Sequence, residues 1–235
     1  MRTAGLVLLL ILAPPTAGWA GHPPIQPLID AAEPGAILYP EPGVYAGPLI
    51  LDFPVTIDGR GEVTLDAGGE GSVVYIDTDG ATVKNMRLTG SGKSHNDIDA
   101  GVQVRGNFNV IKDLVIDDCL FGVDLQQSEH NIVRRNRISS KPVELGQRGD
   151  SVRLWYSFHN RIENNEVSDS RDMVVWYSAD NEIRGNSQRN SRYSLHFMYS
   201  RYNLVEDNRY LNNTVGIFLM YSDGVVVRNN RIAHA

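Results

Sequence analysis

The second half of the chain repeats a ten-residue block in which apolar and polar positions alternate. The second and fourth residues of every copy are apolar. The five clearest copies occupy residues 122–131, 151–160, 172–181, 194–203 and 216–225, and a weaker copy occupies residues 101–109. The starts of the clear copies lie 29, 21, 22 and 22 residues apart. Alternation with a period of two is typical of a half-buried β-strand, so we predict a strand in each block.

Asparagine marks the corners between these strands. Four of the clear blocks end on Asn, an apolar residue follows two positions later, and a second Asn lies five positions beyond the first. Asn tolerates the left-handed backbone conformation that a sharp corner needs. Stacked Asn side chains can also hydrogen-bond to one another along an axis. One repeat of about 22 residues therefore makes one coil whose strands pair in parallel with those of the next coil.

The sequence predicts an all-β protein, a right-handed parallel β-helix. A leucine-rich repeat has a similar period, but it needs a different leucine spacing and a helical half, and the chain has neither. We assign residues 21–35 to an N-terminal cap and residues 36–235 to the β-helix, with inserts at residues 91–100 and 140–150. The chain stops in mid-coil without an atypical capping repeat, so we expect further C-terminal coils in the whole protein.

The first twenty residues have the pattern of a secretory signal peptide. Arg2 precedes an apolar run at residues 5–13, which is too short to span a bilayer. Small residues at Gly18 and Ala20 predict cleavage after Ala20 and export to the periplasm, the alternative being an uncleaved anchor. A formal charge of −6 argues against a nucleic-acid partner. The single cysteine excludes a Cys-rich metal site.

A candidate copper site follows from the residues that repeat on the outward positions. Met198 and Met220 occupy the same position in successive blocks, and His196 lies close to them. Thioether and imidazole groups form a soft ligand set that suits Cu(I). The surrounding aromatic ladder consists of Trp155, Trp176, Tyr156, Tyr177, Tyr199 and Tyr221. Two alternatives stay open for this ladder: packing at a corner, and a sugar-binding groove.

Three other histidines are weaker metal candidates. His130 and His159 share a position before the corner Asn of consecutive coils, so they approach one another or stay as two exposed corner residues. His95 alternates with Asp97 and Asp99 in the first insert, which predicts a divalent-metal or sugar-hydroxyl loop, or a polar surface loop.

No paired catalytic carboxylates are evident in the sequence. We expect the third block position to point outward, and it holds Asp124, Arg153, Val174, His196 and Phe218. Outward acidic and basic residues are scattered rather than gathered on one face. This pattern favours a protein that is not an enzyme.

The blocks resemble a known family. The motifs at residues 153–157, 171–178, 192–200 and 215–222 resemble those of the NosD family, pectin-lyase-like β-helix proteins of the periplasm that take part in nitrous-oxide reductase maturation. The resemblance extends over the mature chain from the PGVY motif at residues 42–45. The general repeat is shared with lyases and epimerases, whereas the HFMYS and FLMYS motifs are more specific.

The resemblance implies an accessory role without catalysis. It implies copper as cargo, and as partners an ABC transporter with its ATPase and membrane subunits, a copper-chaperone lipoprotein and nitrous-oxide reductase. No family motif assigns copper ligands, so Met198, Met220 and His196 are candidates from the ladder alone. The alternative function is a polysaccharide lyase or uronate epimerase, with the aromatic ladder as sugar subsites and Asp97 and Asp99 binding calcium.

Overall fold

The repeating blocks form short strands that stack coil on coil. A computed structural model of the protein describes residues 21–234, so the predicted signal peptide lies outside the described residues. The first thirteen strands are β1 (Ile37–Leu38), β2 (Gly43–Ala46), β3 (Leu49–Leu51), β4 (Thr56–Asp58), β5 (Val63–Asp66), β6 (Val74–Ile76), β7 (Thr82–Lys84), β8 (Arg87–Thr89), β9 (Ala100–Val104), β10 (Val110–Lys112), β11 (Val115–Cys119), β12 (Phe121–Gln126) and β13 (Ile132–Arg134). The next thirteen are β14 (Arg137–Ser140), β15 (Val152–Trp155), β16 (Arg161–Glu163), β17 (Glu166–Ser168), β18 (Asp172–Trp176), β19 (Glu182–Arg184), β20 (Ser187–Arg189), β21 (Tyr193–Met198), β22 (Leu204–Glu206), β23 (Arg209–Leu211), β24 (Val215–Met220), β25 (Val226–Arg228) and β26 (Arg231–Ala233).

These strands form three parallel sheets that run the length of the molecule. The first sheet has nine strands in the order β1-β4-β7-β10-β13-β16-β19-β22-β25, and the second has nine in the order β2-β5-β8-β11-β14-β17-β20-β23-β26. The third has eight, in the order β3-β6-β9-β12-β15-β18-β21-β24. Each strand pairs with the equivalent strand of the neighbouring coils. The prediction of an all-β parallel solenoid with coils of about 22 residues is confirmed.

The core follows from the alternation that predicted the strands. Residues two apart on a strand share a face, so one set of apolar positions points inward from each sheet. In the third sheet the fourth block residues Leu125, Leu154, Val175 and Phe197 are fully buried. Each side chain of this kind contributes about 1.5–3 kcal/mol when it leaves water. A single continuous apolar column therefore supports all three sheets.

Two buried asparagine ladders hold the corners. The backbone N–H of Asn160 donates to Asn181 Oδ1 at 2.9 Å, and Asn160 Nδ2 donates to the same oxygen at 3.1 Å. One ladder contains Asn109, Asn131, Asn160, Asn181 and Asn203, and the other contains Asn136, Asn165, Asn186, Asn208 and Asn230. The predicted bonding of stacked Asn side chains along the axis is confirmed.

The segment assigned to the cap lies over the first coil. It contains the short helix α1 (Gln26–Asp30), and Ile25 before the helix and Ile29 within it are buried in the core. The Gln26 side chain accepts from the Ile50 N–H at 2.8 Å and donates to the Ile50 carbonyl at 3.1 Å. Within residues 21–234 there is no helix of the length and hydrophobicity that a membrane span requires.

The two inserts fold over the outer face of the third sheet. Gln103 of β9 donates to the backbone oxygens of Asp97 and Ile98 at 2.9 and 2.8 Å, which holds the first insert down. The second insert contains a 3-10 turn at Leu145–Gln147. Nε2 of His95 lies 3.0 Å from the Gln147 carbonyl oxygen, so the inserts touch one another. Together they cover outward residues that an uninterrupted solenoid would expose.

Candidate functional site

Two columns of outward side chains run along the third sheet. One column is formed by the register partners Trp155, Trp176, Met198 and Met220 on β15, β18, β21 and β24. The other is formed by Arg153, Val174, His196 and Phe218 on the same strands. Rungs of a sheet lie about 4.8 Å apart. The structure therefore places Met198 and Met220 on adjacent rungs, with His196 on the same outer face as Met198.

The His196 side chain is half-buried between aromatic rings. Its ring lies between those of Tyr193 and Phe218, with centroids 4.7 and 5.3 Å away. Nε2 is buried and has no hydrogen-bond partner among the described residues. Burial lowers the pKa of His196, and Arg192 and Arg171 lower it further against the opposing effect of Asp172. The imidazole is thus neutral at pH 7, the form that binds a metal.

The tyrosines of the ladder stack at the corner that follows these strands. Tyr156, Tyr177, Tyr199 and Tyr221 form a continuous stack with centroid distances of 4.9, 5.1 and 5.1 Å. All four have left-handed backbone conformations, with φ between 47° and 50°. Trp155 and Trp176 each pack against the tyrosine that follows them. The tyrosine faces are used in contacts with one another, which favours the packing interpretation of the ladder over sugar subsites.

His130 and His159 are brought together, but not in a geometry that suits a metal. Their rings stack with centroids 5.1 Å apart and an interplanar angle of 11°, and Phe108 stacks on the other side of His130 at 5.0 Å. A metal binds imidazole through a ring-nitrogen lone pair, which lies in the ring plane. Residues 21–234 contain no group of three or more His, Cys, Asp or Glu residues that could hold a metal ion.

The first insert uses its polar side chains for its own turn. Asp99 Oδ2 accepts from the Ser94 N–H at 2.7 Å, and Asp97 Oδ2 accepts from Ser94 Oγ at 2.7 Å. His95 packs edge-on against Phe121 with centroids 5.5 Å apart. The two carboxylates therefore support the loop, and His95 lies at the mouth of the groove described next.

A cluster of ion pairs lies beneath the inserts, and the expectation of scattered outward charges is wrong there. Arg153 donates to Asp124 at 2.7 Å and Arg171 donates to Asp150 at 2.9 Å. Arg192 pairs with Asp172 in the same way one coil further on. Asp124 lies at an outward position, yet its side chain is fully buried.

Burial perturbs two of these carboxyl groups. Desolvation raises the pKa of Asp124 despite its contact with Arg153. Desolvation raises the pKa of Asp150 to about 6, and Arg171 offsets only part of the effect. One signal for the cluster exists in the sequence, because Arg171 and Arg192 come shortly before the first residues of consecutive blocks. The depth of burial depends on how the inserts fold, which the repeat pattern does not specify.

These side chains line a groove of about 380 Å³ on the outer face of the third sheet. Its polar lining includes Arg153, Arg171, Arg192 and His196. Its apolar lining includes Phe121, Val174, Trp176 and Met198. The groove thus joins the charged cluster under the inserts to the methionine end of the outward column.

Comparison with known proteins supports the family resemblance. Residues 141–235 match the family described as "Periplasmic copper-binding protein (NosD)". A protein of Pseudomonas aeruginosa named "Probable ABC transporter binding protein NosD" is 30% identical over 133 residues, which cover 55% of this chain and 31% of the relative. The chain therefore spans about a third of the length of the curated relative it matches.

Solved structures with the same fold share little sequence identity with this chain. The A-module of a mannuronan C-5 epimerase from Azotobacter vinelandii aligns with a TM-score of 0.58 at 16% identity, covering 88% of this chain and 70% of the module. An alginate lyase bound to a trisaccharide aligns with a TM-score of 0.59 at 14% identity, covering 89% and 56%. The Streptococcus pneumoniae adhesin PfbA aligns with a TM-score of 0.56 at 14% identity, covering 75% and 59%. At such identities the likeness shows the fold alone.

The family match covers the part of the solenoid that carries the methionine rungs. Met198, Met220 and His196 all lie within residues 141–235. The resemblance to the NosD family of periplasmic copper-binding proteins is therefore confirmed over these coils.

Proposed function

We propose that the protein is a periplasmic accessory protein for copper-centre assembly of nitrous-oxide reductase. It binds Cu(I) as cargo and passes it on, or holds the proteins between which copper or sulfur is transferred. The observation that carries the proposal is the match to a periplasmic copper-binding family over residues 141–235. Those residues include the rungs on which two methionines and a neutral histidine share one outer face.

Met198, Met220 and His196 suit Cu(I) by their chemistry. Thioether sulfur and neutral imidazole are soft donors that favour Cu(I) over hard divalent cations. Trp176, the register partner of Met198, can add a cation–π contact to the bound ion. The three candidates are each half-buried, and His196 and Met198 line the groove, so a partner protein could reach an ion that is partly shielded from bulk water. Such a site suits transfer better than permanent storage.

One of the proposed partners is supported by the name of a relative. The Pseudomonas relative is named for an ABC transporter, which supports a role beside the ATPase and membrane subunits of such a transporter. A copper-chaperone lipoprotein would supply the ion and nitrous-oxide reductase would receive it. The protein itself carries out no chemical conversion in this scheme.

A competition titration with a Cu(I) chelator under anaerobic conditions tests the site. We expect Met198→Leu/Met220→Leu to weaken Cu(I) binding at least tenfold, since leucine keeps the packing volume but removes both sulfur ligands. The matched control is Met86→Leu/Met173→Leu, which replaces two methionines buried in the core and should leave the affinity unchanged. Unchanged affinity in the first variant contradicts this ligand set. Absence of Cu(I) binding by the native chain contradicts the cargo role.

A polysaccharide lyase or uronate epimerase is the second candidate. The observation in its favour is that Arg192, Tyr193 and His196 lie together at the groove, where they could stabilise and deprotonate a sugar acid. The absorbance of unsaturated uronates after incubation with alginate or pectate tests lyase activity, and release of label from C5 tests epimerisation. A signal in either assay, lost in His196→Ala, would replace the accessory role by an enzymatic one.

A further inference from the structure

The groove beneath the inserts has a charged end that copper transfer does not use. Its charged end lies on β12, β15 and the corners before β18 and β21, whereas the methionines lie at the carboxyl ends of β21 and β24. We propose that this end of the groove binds a small organic carboxylate, held by Arg153, Arg171 and Arg192, with its apolar body against Phe121 and Trp176. The proposal does not depend on the proposed copper function.

The groove offers more hydrogen-bond donors than its own carboxylates use. Each guanidinium has five N–H donors. Arg171 gives Nε and one terminal nitrogen to Asp150, and Arg192 gives the same two groups to Asp172. Arg153 gives one terminal nitrogen to Asp124. The three arginines therefore keep N–H donors that their paired carboxylates do not use, and a ligand carboxylate, with up to four lone pairs, can accept from them.

A further donor in the lining has no partner. The indole N–H of Trp176 is buried and makes no hydrogen bond to any residue between 21 and 234. An indole N–H is a donor only, so an acceptor on a ligand is what would satisfy it. A buried polar group without a partner destabilises the protein, and a bound acceptor would recover part of that loss.

The ion pairs hold the arginines in place and leave some of their N–H donors available to a ligand. The side chains of Asp150 and Asp172 are buried against Arg171 and Arg192, which are themselves 25% and 45% exposed. Both aspartates also line the groove, and each fixes one edge of its guanidinium while other donors of that group stay unused. Donors fixed before binding lose little freedom when a ligand arrives, which favours affinity.

The size and the apolar walls select an organic ligand over a bare inorganic ion. The groove measures about 380 Å³, within the range of small-molecule pockets. Liquid water occupies roughly 30 Å³ per molecule, so the groove holds far more than one tetrahedral ion. Ile98, Phe121 and Val174 join Trp176 in the lining, and they can cover the carbon face of a ring. A ring that bears one carboxylate matches both halves of the lining.

Isothermal titration calorimetry of the whole chain tests the proposal. The probes are D-galacturonate and benzoate as ring carboxylates, galactose as the neutral match of the first, and sulfate as an inorganic oxyanion. We expect at least one ring carboxylate to bind, and galactose and sulfate to bind at least tenfold more weakly than it does. The proposal is overturned if neither carboxylate binds, if galactose binds as well as D-galacturonate, or if sulfate binds as tightly as the carboxylates.

Variants locate the binding. Asp150→Asn/Arg171→Gln replaces one buried ion pair by a neutral pair of similar shape and should weaken carboxylate binding at least tenfold. Arg137→Gln/Glu166→Gln removes an exposed ion pair of another sheet, with its atoms 3.3 Å apart, and should leave binding unchanged. Trp176→Phe removes the indole N–H but keeps an aromatic ring and should weaken binding by a smaller factor. If Asp150→Asn/Arg171→Gln binds like the native chain, the ligand lies elsewhere and the assignment is wrong.

Failure of this proposal is separable from failure of the copper proposal. Met198→Leu/Met220→Leu leaves all three arginines in place and should retain carboxylate binding. Conversely, Asp150→Asn/Arg171→Gln leaves both sulfur ligands in place and should retain Cu(I) binding. Loss of both activities in either variant would mean that the two ends of the groove do not act separately, which contradicts the assignment of the carboxylate to the arginine end.

Discussion

The asparagine ladders and the aspartates of the arginine–aspartate cluster are two sets of buried polar groups in one solenoid, and they differ in how fully their hydrogen bonds are used. In the ladders, Asn181 accepts two hydrogen bonds from Asn160 and donates to carbonyl oxygens and to Asn203. In the cluster, Asp124 Oδ2 has no partner among the described residues, and neither has the Trp176 N–H beside it in the groove lining. The asparagine side chains are therefore fully hydrogen-bonded, whereas the buried groups at the groove are not.

The difference distinguishes a network that repeats from a cluster that occurs locally. The ladders repeat over successive coils, one from Asn109 and the other from Asn136 onward, because each of these corners has the same backbone groups to satisfy. The cluster lies beside the inserts, and desolvation raises the pKa of its Asp124 and Asp150 carboxyl groups. Fully satisfied networks make the native structure rigid, whereas perturbed and unsatisfied groups in a cleft indicate a binding site.

The largest effect on stability is expected in the ladder. Asn181→Ala would leave the Asn160 donors and two backbone carbonyls buried without partners. We expect the free energy of unfolding to fall by about 3 kcal/mol or more. Urea denaturation followed by circular dichroism measures it. Asn96→Ala, in an exposed part of the first insert, is the control and should change stability by less than about 0.5 kcal/mol.

A smaller effect, dependent on pH, is expected in the cluster. The folded-state pKa of Asp150 is about 6, above its usual 3.8. Between these values the folded protein holds a proton that the unfolded chain has released, so this group's contribution to stability falls as the pH rises from 4 to 6. An asparagine at this position would not titrate. The stability of Asp150→Asn relative to the native chain should therefore rise by roughly 2–3 kcal/mol between pH 4 and pH 7.

Urea denaturation at several pH values measures this difference. Because the offset caused by losing the Arg171 contact is common to all pH values, only the change with pH matters. A difference that is flat between pH 4 and pH 7 would show that Asp150 titrates in the folded protein as it does in the unfolded chain. Burial in the cluster would then not perturb the titration of Asp150, and this difference between the cluster and the ladder would disappear.

The smallest effect is expected in the tyrosine stack. Tyr177→Asn removes stacking contacts with Tyr156 and Tyr199, while Asn accepts the left-handed backbone at this corner. We expect a loss of about 1–2 kcal/mol, measured by thermal and urea unfolding. Tyr202→Asn is the control, since Tyr202 has the same kind of backbone conformation and 59% exposure. Equal losses in both variants would mean that stacking contributes nothing to the corner.

The fold could be predicted because its determinants repeat. The alternation at residues such as Leu195 and Phe197 specifies the strands, and the Asn spacing specifies the corners. The pairing and burial within the ion-pair cluster could not be predicted, because the repeat pattern does not specify them and Asp150 comes from an insert that occurs once. The block position of Asp124 predicts an outward, solvated residue, whereas its side chain is fully buried and accepts a hydrogen bond from Arg153.

The methionines offer the most direct test of the central claim, that the outer face of the third sheet binds Cu(I). The chain has five methionines, of which Met86 and Met173 are buried in the core and so provide internal references. NMR spectra of the chain labelled at the methionine ε-methyl groups can follow each of them during anaerobic addition of Cu(I). The account predicts that the signals of Met198 and Met220 move together and saturate while those of Met86 and Met173 stay in place. Unmoved Met198 and Met220 signals in a protein that binds Cu(I) would contradict it.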